Sequence, residues 1–264
     1  MERMFFKFVL FSFAILTSIT AFAESPKPII REERKIIIDG VEERWRLEWV
    51  NTTSPACAPP DNPDWMICPC NGFAFGERGD LVLVRKKPGQ KEEHLRLGPL
   101  FSEAPADIGE AVLQRWDVQA RDYDERDIPG FVSRLQARPI VQIMRFGDYD
   151  HDGRATEFVL QIGTLPCGKK MSVVIGVSRH NKRLHAFSSV RHPETPLVLQ
   201  AWHWESLLNA KGPIKVIYWP CGDHASEKEE ELELRAEKGR IHVTLREYEC
   251  KEKGRGKLIK EEAL

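Results

Sequence analysis

Residues 140–162 read IVQIMRFGDYDHDGRATEFVLQI, and this stretch sets the expectations for the fold. Its two ends are apolar and β-prone, whereas its middle is acidic and contains glycine. Phe158, Leu160 and Ile162 recur at every second position, which places them on one face of a strand. We therefore expect strands over 140–146 and 158–162, joined by a polar loop.

The loop between these strands carries carboxylates at alternate positions. Asp148, Asp150 and Asp152 are followed directly by Gly153, which favours a sharp turn because glycine adopts positive φ without a Cβ penalty. Carboxylates this close repel one another unless water or a cation compensates their charge. Calcium takes about six to eight oxygen ligands at flexible geometry, so the pattern favours a structural calcium ion. The alternative is an exposed acidic turn without an ion, since Asp and Gly are ordinary turn residues.

This segment resembles the calcium-binding loops of FG-GAP and VCBS repeats, in which a strand enters an Asp-x-Asp-x-Asp-Gly turn and a second strand leaves it. The resemblance implies metal ligands from three side chains and one main-chain carbonyl, namely Asp148, Asp150, Asp152 and Arg154. The carboxylate usual at the ninth loop position is missing, because Thr156 stands there, and Glu157 or water would replace it. An EF-hand fits less well, because Val159 occupies the position of its closing glutamate. The resemblance covers about a dozen residues and has no sister repeats elsewhere in the chain.

The rest of the chain alternates short β-prone runs with turns that contain glycine or proline, which predicts a mainly β fold. Hairpin turns are expected at Asp39-Gly40, Pro88-Gly89 and Lys238-Gly239. About two short helices are expected, over 106–116 and over 196–208, where apolar residues recur at helical spacing. A sandwich, a barrel and a curled antiparallel sheet all stay open, and we expect the fold to be disulfide-linked.

The first 23 residues have the features of a secretory signal peptide. Arg3 and Lys7 precede an apolar stretch, and Ala21-Phe22-Ala23 supplies a small-x-small cleavage pattern. An uncleaved N-terminal anchor is the alternative. We expect a single mainly β domain over 24–250, with a division into two subdomains near 120–138 as the alternative. A charged C-terminal tail is expected over 251–264.

The cysteines all follow the expected signal peptide and number six: Cys57, Cys68, Cys70, Cys167, Cys221 and Cys250. An even number in an exported chain favours disulfides, because exported proteins fold under oxidising conditions. So many cysteines allow many pairings, and the connectivity stays open. A redox or metal site at Cys68-Pro69-Cys70 is the alternative. We expect an extracytoplasmic protein, either periplasmic or secreted.

The formal net charge is −1, and acidic and basic residues are interspersed throughout. This balance gives no general electrostatic attraction to nucleic acid or to an anionic membrane. After signal cleavage, no second apolar stretch follows that is long enough to span a bilayer. We therefore expect a protein or glycan partner of unknown identity, no nucleic acid and no membrane span.

No catalytic motif stands out, since the chain lacks a nucleophile elbow, a phosphate-binding glycine loop and histidines at zinc-binding spacing. The seven tryptophans could form sugar-binding platforms, but large aromatic side chains most often fill cores. We expect an exported calcium-binding protein with a structural or binding role rather than an enzyme, and leave catalytic residues unassigned. The alternative is a secreted calcium-stabilised hydrolase that acts on polysaccharide through carboxylates the sequence does not single out.

Overall fold

The structure is a computed structural model that describes residues 27–58, 67, 69–101, 109–118, 122–123, 125–165, 168–252 and 254–264. Within these residues the chain forms fifteen strands and two α-helices. The strands pair into four antiparallel sheets. The prediction of a mainly β, disulfide-linked fold with about two helices is thereby confirmed.

The strands are β1 (Ile29–Ile38), β2 (Val41–Trp49), β3 (Ser54–Ala56), β4 (Gly76–Gly79), β5 (Leu81–Lys86), β6 (Glu93–Arg96), β7 (Ala111–Gln114), β8 (Glu157–Leu165), β9 (Lys169–Gly176), β10 (His185–Ala186), β11 (Leu199–Gln200), β12 (Ile214–Trp219), β13 (Lys228–Glu237), β14 (Arg240–Glu249) and β15 (Leu258–Ala263). The helices are α1 (Ile128–Gln136) and α2 (Ala201–Asn209). An N-terminal sheet has the order β1-β2-β5-β6, and a small sheet has the order β3-β4-β7. A central sheet is built around β9, which pairs with β8, β10 and β11. A C-terminal sheet has the order β12-β13-β14-β15.

The predicted hairpin turns form where the sequence places them. Asp39-Gly40 joins β1 to β2 with φ of 48° and 80°, and Lys238-Gly239 joins β13 to β14 with φ of 51° and 84°. Positive φ at both central positions suits the right-handed twist of the flanking strands, and glycine takes it without strain. Pro88-Gly89 lies in the connection between the paired strands β5 and β6.

The hairpin of β8 and β9 separates two hydrophobic cores. Alternate side chains of β9 point to opposite faces, so Val173 and Ile175 join the first core while Val174 joins the second. The first core takes side chains from the N-terminal and small sheets, including Trp45. The second takes them from the C-terminal sheet and α2, including Trp204. Both tryptophans are completely buried, in line with the expectation that these rings fill cores.

The helix predicted over 196–208 forms as α2, but it begins later than expected. Leu199 and Gln200 pair with Ser172 and Met171 as strand β11, so the helical path starts only at Ala201. Helix α1 was not predicted. Its first turn accommodates Pro129, where no backbone donor is needed, and Asp127 caps it by accepting a hydrogen bond from Gly130 N at 2.9 Å.

The helix predicted over 106–116 is wrong for the part of it that the structure describes. Residues Ala111–Gln114 form β7, which pairs with β4. A short apolar run fits a buried strand and a buried helix equally well, and the partner strand decides between them. Residues 106–108 of the predicted helix lie outside the described residues.

The strand predicted over 140–146 does not form either. The structure assigns no ladder to this stretch, whose first bridge to a neighbour is at Gly147. Its backbone is held by a side chain instead, since the carboxylate of Glu32 accepts hydrogen bonds from Ile143 N at 2.6 Å and Met144 N at 3.3 Å. The Glu32 carboxylate and a backbone hydrogen bond from Val141 N to Arg115 O at 2.9 Å therefore take the place of the ladder that the sequence pattern implied.

The C-terminal residues 251–264 are more than the charged tail that was predicted. Leu258–Ala263 forms β15, which pairs with β14 over the register Thr244↔Ala263 to Tyr248↔Leu258. Every residue of β15 is exposed, so no apolar alternation marks it in the sequence.

The described residues contain two disulfides, Cys57–Cys70 and Cys221–Cys250. They favour an oxidising, extracytoplasmic environment, as predicted from the cysteine count. Cys68 and Cys167 lie outside the described residues, as does the signal peptide predicted over 1–23. Within the described part of the chain, neither helix has the length and apolar content to cross a bilayer.

The remaining two cysteines give a first testable prediction. Described residues next to them in sequence approach each other, because a Cβ atom on Gly168 would lie 3.6 Å from the side-chain Nδ2 of Asn71. We predict that Cys68 and Cys167 are also oxidised, so that protein unfolded without reductant reacts with no thiol reagent. Intact-mass analysis after alkylation, with a pre-reduced sample as control, measures this. Two alkylated cysteines per unreduced chain would contradict it.

A second prediction concerns the buried His203 of α2. Burial lowers the pKa of His203 to about 4, and the backbone of Ile217 opposes this shift only in part. At pH values between about 4 and 6.5, His203 is protonated in the unfolded chain but neutral in the folded protein. The unfolding free energy therefore decreases as the pH falls from about 7 towards 4. Between pH 7 and 5 this residue should account for roughly 1–2 kcal/mol of unfolding free energy. Urea unfolding of His203→Gln should show a correspondingly smaller pH dependence than the parent, whereas the exposed control His94→Gln should match the parent.

Candidate metal centre

The acidic loop is closed at its base by a two-hydrogen-bond bridge. Gly147 N donates to Glu157 O at 2.8 Å, and Glu157 N donates to Gly147 O at 3.2 Å. Within the loop, His151 and Gly153 have φ of 53° and 89°, so the chain reverses sharply between its acidic positions. Glu157 therefore stands at the first residue of β8, with its side chain directed at the loop.

Asp148, Asp150 and Glu157 form one group of carboxylates. Each offers an oxygen within 4.8 Å of the others. Asp150 and Glu157 have no exposed surface, and Asp148 is half-buried. In the part of the chain that the structure describes, this is the one place where three metal-ligating side chains converge in this way. The ligand atoms that the group offers to a metal are all carboxylate oxygens, which suit a hard cation such as calcium or magnesium rather than zinc.

Backbone amides of the loop donate hydrogen bonds to two of these carboxylates. Asp148 accepts hydrogen bonds from Asp152 N and Gly153 N, both at 3.0 Å. Asp150 Oδ1 accepts one from Asp152 N at 3.1 Å. Asp150 Oδ2, in contrast, is buried and has no hydrogen-bond partner among the described residues. A buried carboxylate oxygen without a donor is costly, and a bound cation is one way to satisfy it.

Glu157 is held in place by its neighbours. Its Oε2 accepts a hydrogen bond from Tyr149 N at 2.9 Å, and its Oε1 accepts one from the hydroxyl of Thr156. The same hydroxyl lies 2.7 Å from the carbonyl oxygen of Val177. These bonds fix the carboxylate of Glu157 in the group with Asp148 and Asp150.

The two other residues predicted as ligands lie at the edge of the group. Asp152 Oδ2 accepts a hydrogen bond from Arg179 N at 2.6 Å, while its buried Oδ1 has no partner among the described residues. Arg179 Nε also donates to the carbonyl oxygen of Asp152 at 2.9 Å. The side chain of Arg154 leaves the loop and pairs with Asp39 at 3.3 Å.

Burial makes the charges of the group unfavourable in the ion-free protein. Desolvation raises the pKa of Asp150, and the nearby carboxylate of Asp152 raises it further. Desolvation likewise raises the pKa of Glu157, with the Asp150 charge as the next cause. Both causes reflect negative charge held away from water without a cation.

The loop also contacts the C-terminal sheet and α2. Gly239 N donates to the carbonyl oxygen of Asp150 at 3.0 Å, and Lys238 N donates to that of His151 at 3.3 Å. The ring nitrogen Nε2 of His151 lies 3.0 Å from the carbonyl oxygen of Leu207. The loop thus joins β8 to the turn between β13 and β14, which belongs to a different sheet.

Sequence reasoning missed three residues that shape this centre. Thr156 was noted only as the absence of a carboxylate, yet its hydroxyl orients Glu157. Arg179 and Gly239 are distant in sequence and reach the loop through the fold. A turn glycine after Lys238 was visible, but its contact with Asp150 had no local signal.

A cleft of 430 Å³ beside the loop bears on the hydrolase alternative. Tyr149 lines it, and Asp117 and Glu205 are the carboxylates of its described lining. Exposed tryptophans beside a carboxylate pair would have favoured a polysaccharide hydrolase. No tryptophan is among the described residues that line the cleft, although Trp202 is exposed elsewhere on α2.

Comparisons with known proteins assign neither a family nor a function to this chain. Neither the protein-family models, nor the curated proteins, nor the solved structures contain a match to this chain. The resemblance of about a dozen residues to FG-GAP and VCBS loops stays a prediction, because these comparisons do not test it. What the protein does has to be argued from the geometry of its own side chains.

Proposed function

We propose that this is an exported β-rich protein whose acidic loop binds one calcium ion as a structural element. Asp148, Asp150 and Glu157 supply side-chain ligands, and Asp152 Oδ1, the carbonyl of Arg154 and water complete the oxygen shell. The proposal follows the ligand set implied by the loop resemblance, with Glu157 in the place of the missing ninth-position carboxylate.

One observation carries this proposal. Asp150 is completely buried, and its Oδ2 accepts no hydrogen bond from the described residues. It lies in a group with two further carboxylates, which add to its negative charge. Leaving such an oxygen unsatisfied would cost about 1–3 kcal/mol, and more if it is charged. A cation at the centre of the group removes both the unsatisfied oxygen and the mutual repulsion.

Calcium suits the group better than magnesium. Magnesium demands near-ideal octahedral geometry and keeps several waters, whereas calcium accepts irregular shells of carboxylate and carbonyl oxygens. The group combines carboxylates from both ends of a tight loop. Extracellular calcium near 1 mM would occupy even a weak site with a Kd of about 10⁻⁴ M.

The ion would act as a clamp rather than as a catalyst. Asp150 and His151 contact the turn at Lys238-Gly239, so ordering the loop also orders its junction with the C-terminal sheet. At about 1 mM ion and a Kd of about 10⁻⁴ M, binding adds about 1.4 kcal/mol to the unfolding free energy. For a domain of this size that corresponds to a rise of about 3–6 °C in Tm.

The third prediction tests the ion itself. Chelator-treated protein should gain about 3–6 °C in Tm on addition of 1 mM calcium, and less on addition of magnesium. Asp150→Asn keeps the shape of the side chain but removes its charge. This variant should be at least as stable as the parent in chelator and should gain less than about 1 °C from calcium.

The control for this prediction is Asp80→Asn. Asp80 pairs with Arg96 at the surface, so its loss should leave the calcium response intact. Scanning calorimetry of the three proteins measures all these shifts. An unchanged Tm of the parent on calcium addition, or a full calcium response in Asp150→Asn, would show that the loop binds no stabilising ion.

The fourth prediction uses two glycines in equivalent hairpin turns. Gly239 and Gly40 have φ of 84° and 80°, so replacing either by alanine imposes the same backbone strain of about 1 kcal/mol. A Cβ on Gly239 would lie 3.4 Å from Asp150 Oδ2, whereas a Cβ on Gly40 would have no neighbour within 4 Å. We expect both variants to lose stability equally in chelator.

The two variants should differ only in calcium binding. Gly239→Ala should weaken it by about three- to tenfold in isothermal titration, because the strained turn also shifts the amide that holds the Asp150 carbonyl. Gly40→Ala should bind calcium as the parent does. Equal affinities in both variants would show that the turn at Gly239 plays no part in the site.

A further inference from the structure

Two hairpin turns meet at one end of the N-terminal sheet. The pairs Ile38↔Val41 and Arg44↔Lys86 show that the β1–β2 turn and the β5–β6 turn leave the sheet at the same end. A groove of 360 Å³ is lined from both turns, by Asp39 and Val41 and by Lys87 and Pro88. The hairpin end is defined here as residues 37–41, 86–91 and 182–183.

The third segment of the hairpin end is bonded to the same sheet. Arg85 Nη1 donates to the carbonyl oxygen of Lys182 at 2.7 Å, and Leu184 N donates to the carboxylate of Glu93 at 2.8 Å. Lys182 lines the 360 Å³ groove and also an adjoining groove of 510 Å³. The three segments therefore form one continuous surface.

Apolar side chains stand exposed on this surface. Ile37 is 76% exposed and Val41 is 46% exposed, on either side of the turn at Asp39-Gly40. Single exposed aliphatic side chains are ordinary on protein surfaces. Here, however, they stand at the tip of a hairpin whose acidic residues Asp39 and Glu42 are paired with Arg154 and Lys35. Lys87 and Lys182 line the same groove as Val41, and an apolar tip beside basic side chains is the composition of a membrane-contacting surface.

The lysines around this tip have no carboxylate partner in the part of the chain that the structure describes. Many basic side chains elsewhere pair with a carboxylate, as Lys228 does with Glu247 at 2.7 Å. Within the described residues, the four lysines of the hairpin end have no such partner: Lys86, Lys87, Lys91 and Lys182. Nearby carboxylates are already paired with other cations, Glu43 with Arg85 at 2.6 Å and Glu42 with Lys35 at 3.2 Å. The hairpin end therefore presents positive charge that the near-neutral composition of the chain conceals.

We propose that the hairpin end binds the surface of an anionic lipid bilayer. Ile37 and Val41 enter the headgroup region, and the four lysines contact lipid phosphates from the rim. Lysine suits this role, because its long apolar stem lies along the interface while its ammonium group reaches the phosphate layer. This is peripheral contact with a membrane surface, and it goes beyond the calcium-binding role of the loop.

The exposed aliphatic side chains favour a bilayer over a soluble polyanion. A polyanion such as an acidic polysaccharide would be attracted by the lysines but would gain nothing from Ile37. The described linings of both grooves contain no phenylalanine, tyrosine or tryptophan on which sugar rings or bases could stack. The arrangement therefore combines the two signals that reversible membrane attachment needs, an apolar tip and a basic rim.

Vesicle flotation of the exported protein tests the proposal. Vesicles of phosphatidylglycerol and phosphatidylcholine are compared with vesicles of phosphatidylcholine alone, in chelator so that calcium cannot bridge protein and lipid. We expect binding to the anionic vesicles that weakens with added salt, and little binding to the neutral ones. A protein attached through an apolar N-terminal segment would instead bind the anionic and the neutral vesicles equally.

Matched variants separate the two signals. Lys87→Glu combined with Lys182→Glu should lower the binding constant at least 25-fold, at about fivefold per lysine removed. Ile37→Asn should lower it about tenfold. The controls are Lys257→Glu and Ile259→Asn, which change an exposed lysine and a 46% exposed isoleucine on or beside β15. Both should bind as the parent does, and the Tm of every variant checks its folding.

Several results would overturn the proposal. These are failure to bind anionic vesicles at low salt, and equal losses in the β15 controls and the hairpin-end variants. Binding that dextran sulfate abolishes and that Ile37→Asn leaves unchanged would assign the surface to a soluble polyanion instead. Because the assay is run in chelator, its outcome is independent of whether the acidic loop binds calcium.

Discussion

The β8–β9 hairpin is buried on both faces, and both cores of the molecule are built against it. Val173 and Ile175 pack into one core and Val174 into the other, so each core depends on the same pair of strands. Such a strand can carry charge only at its ends. Glu157 is at the end of β8 and is still completely buried. The carboxylates of the acidic loop are therefore buried because the loop adjoins β8, against which both cores pack.

Local sequence predicts the fold where the determining residues are neighbours. Asp39-Gly40 and Lys238-Gly239 specify their hairpins because two adjacent residues set the turn geometry. Prediction fails where a distant partner decides. Ala111–Gln114 becomes a strand because β4 lies beside it, and the stretch over 140–146 is held by Glu32 from β1. Strand β15 has both faces exposed, so it lacks the alternation that reveals a strand.

The candidate site, like the fold, could be predicted from the sequence only in part. The alternate spacing of Asp148 and Asp150 could be recognised in the sequence, and so could Glu157 as a substitute ligand. Their burial could not, because it depends on the cores around β8 and on the turn at Gly239. The unpartnered Asp150 Oδ2 is likewise visible only in the folded chain. Spacing thus indicates which residues form the group, and packing indicates how unfavourable the negative charges of the group are.

The separation of charge between interior and surface links the two proposals. Among the described residues seven acidic residues are buried, namely Glu43, Glu48, Glu77, Asp150, Asp152, Glu157 and Glu231, whereas the buried cationic side chains include those of Arg31 and Arg85. Glu43, Glu48, Glu77 and Glu231 are paired with arginines, so it is the acidic loop that withdraws negative charge from the surface without also withdrawing a cation. A buried carboxylate that is paired with arginine, or neutralised by calcium, contributes little field outside the protein. The lysines of the hairpin end are then free to act on an anionic partner, although the whole chain is almost neutral.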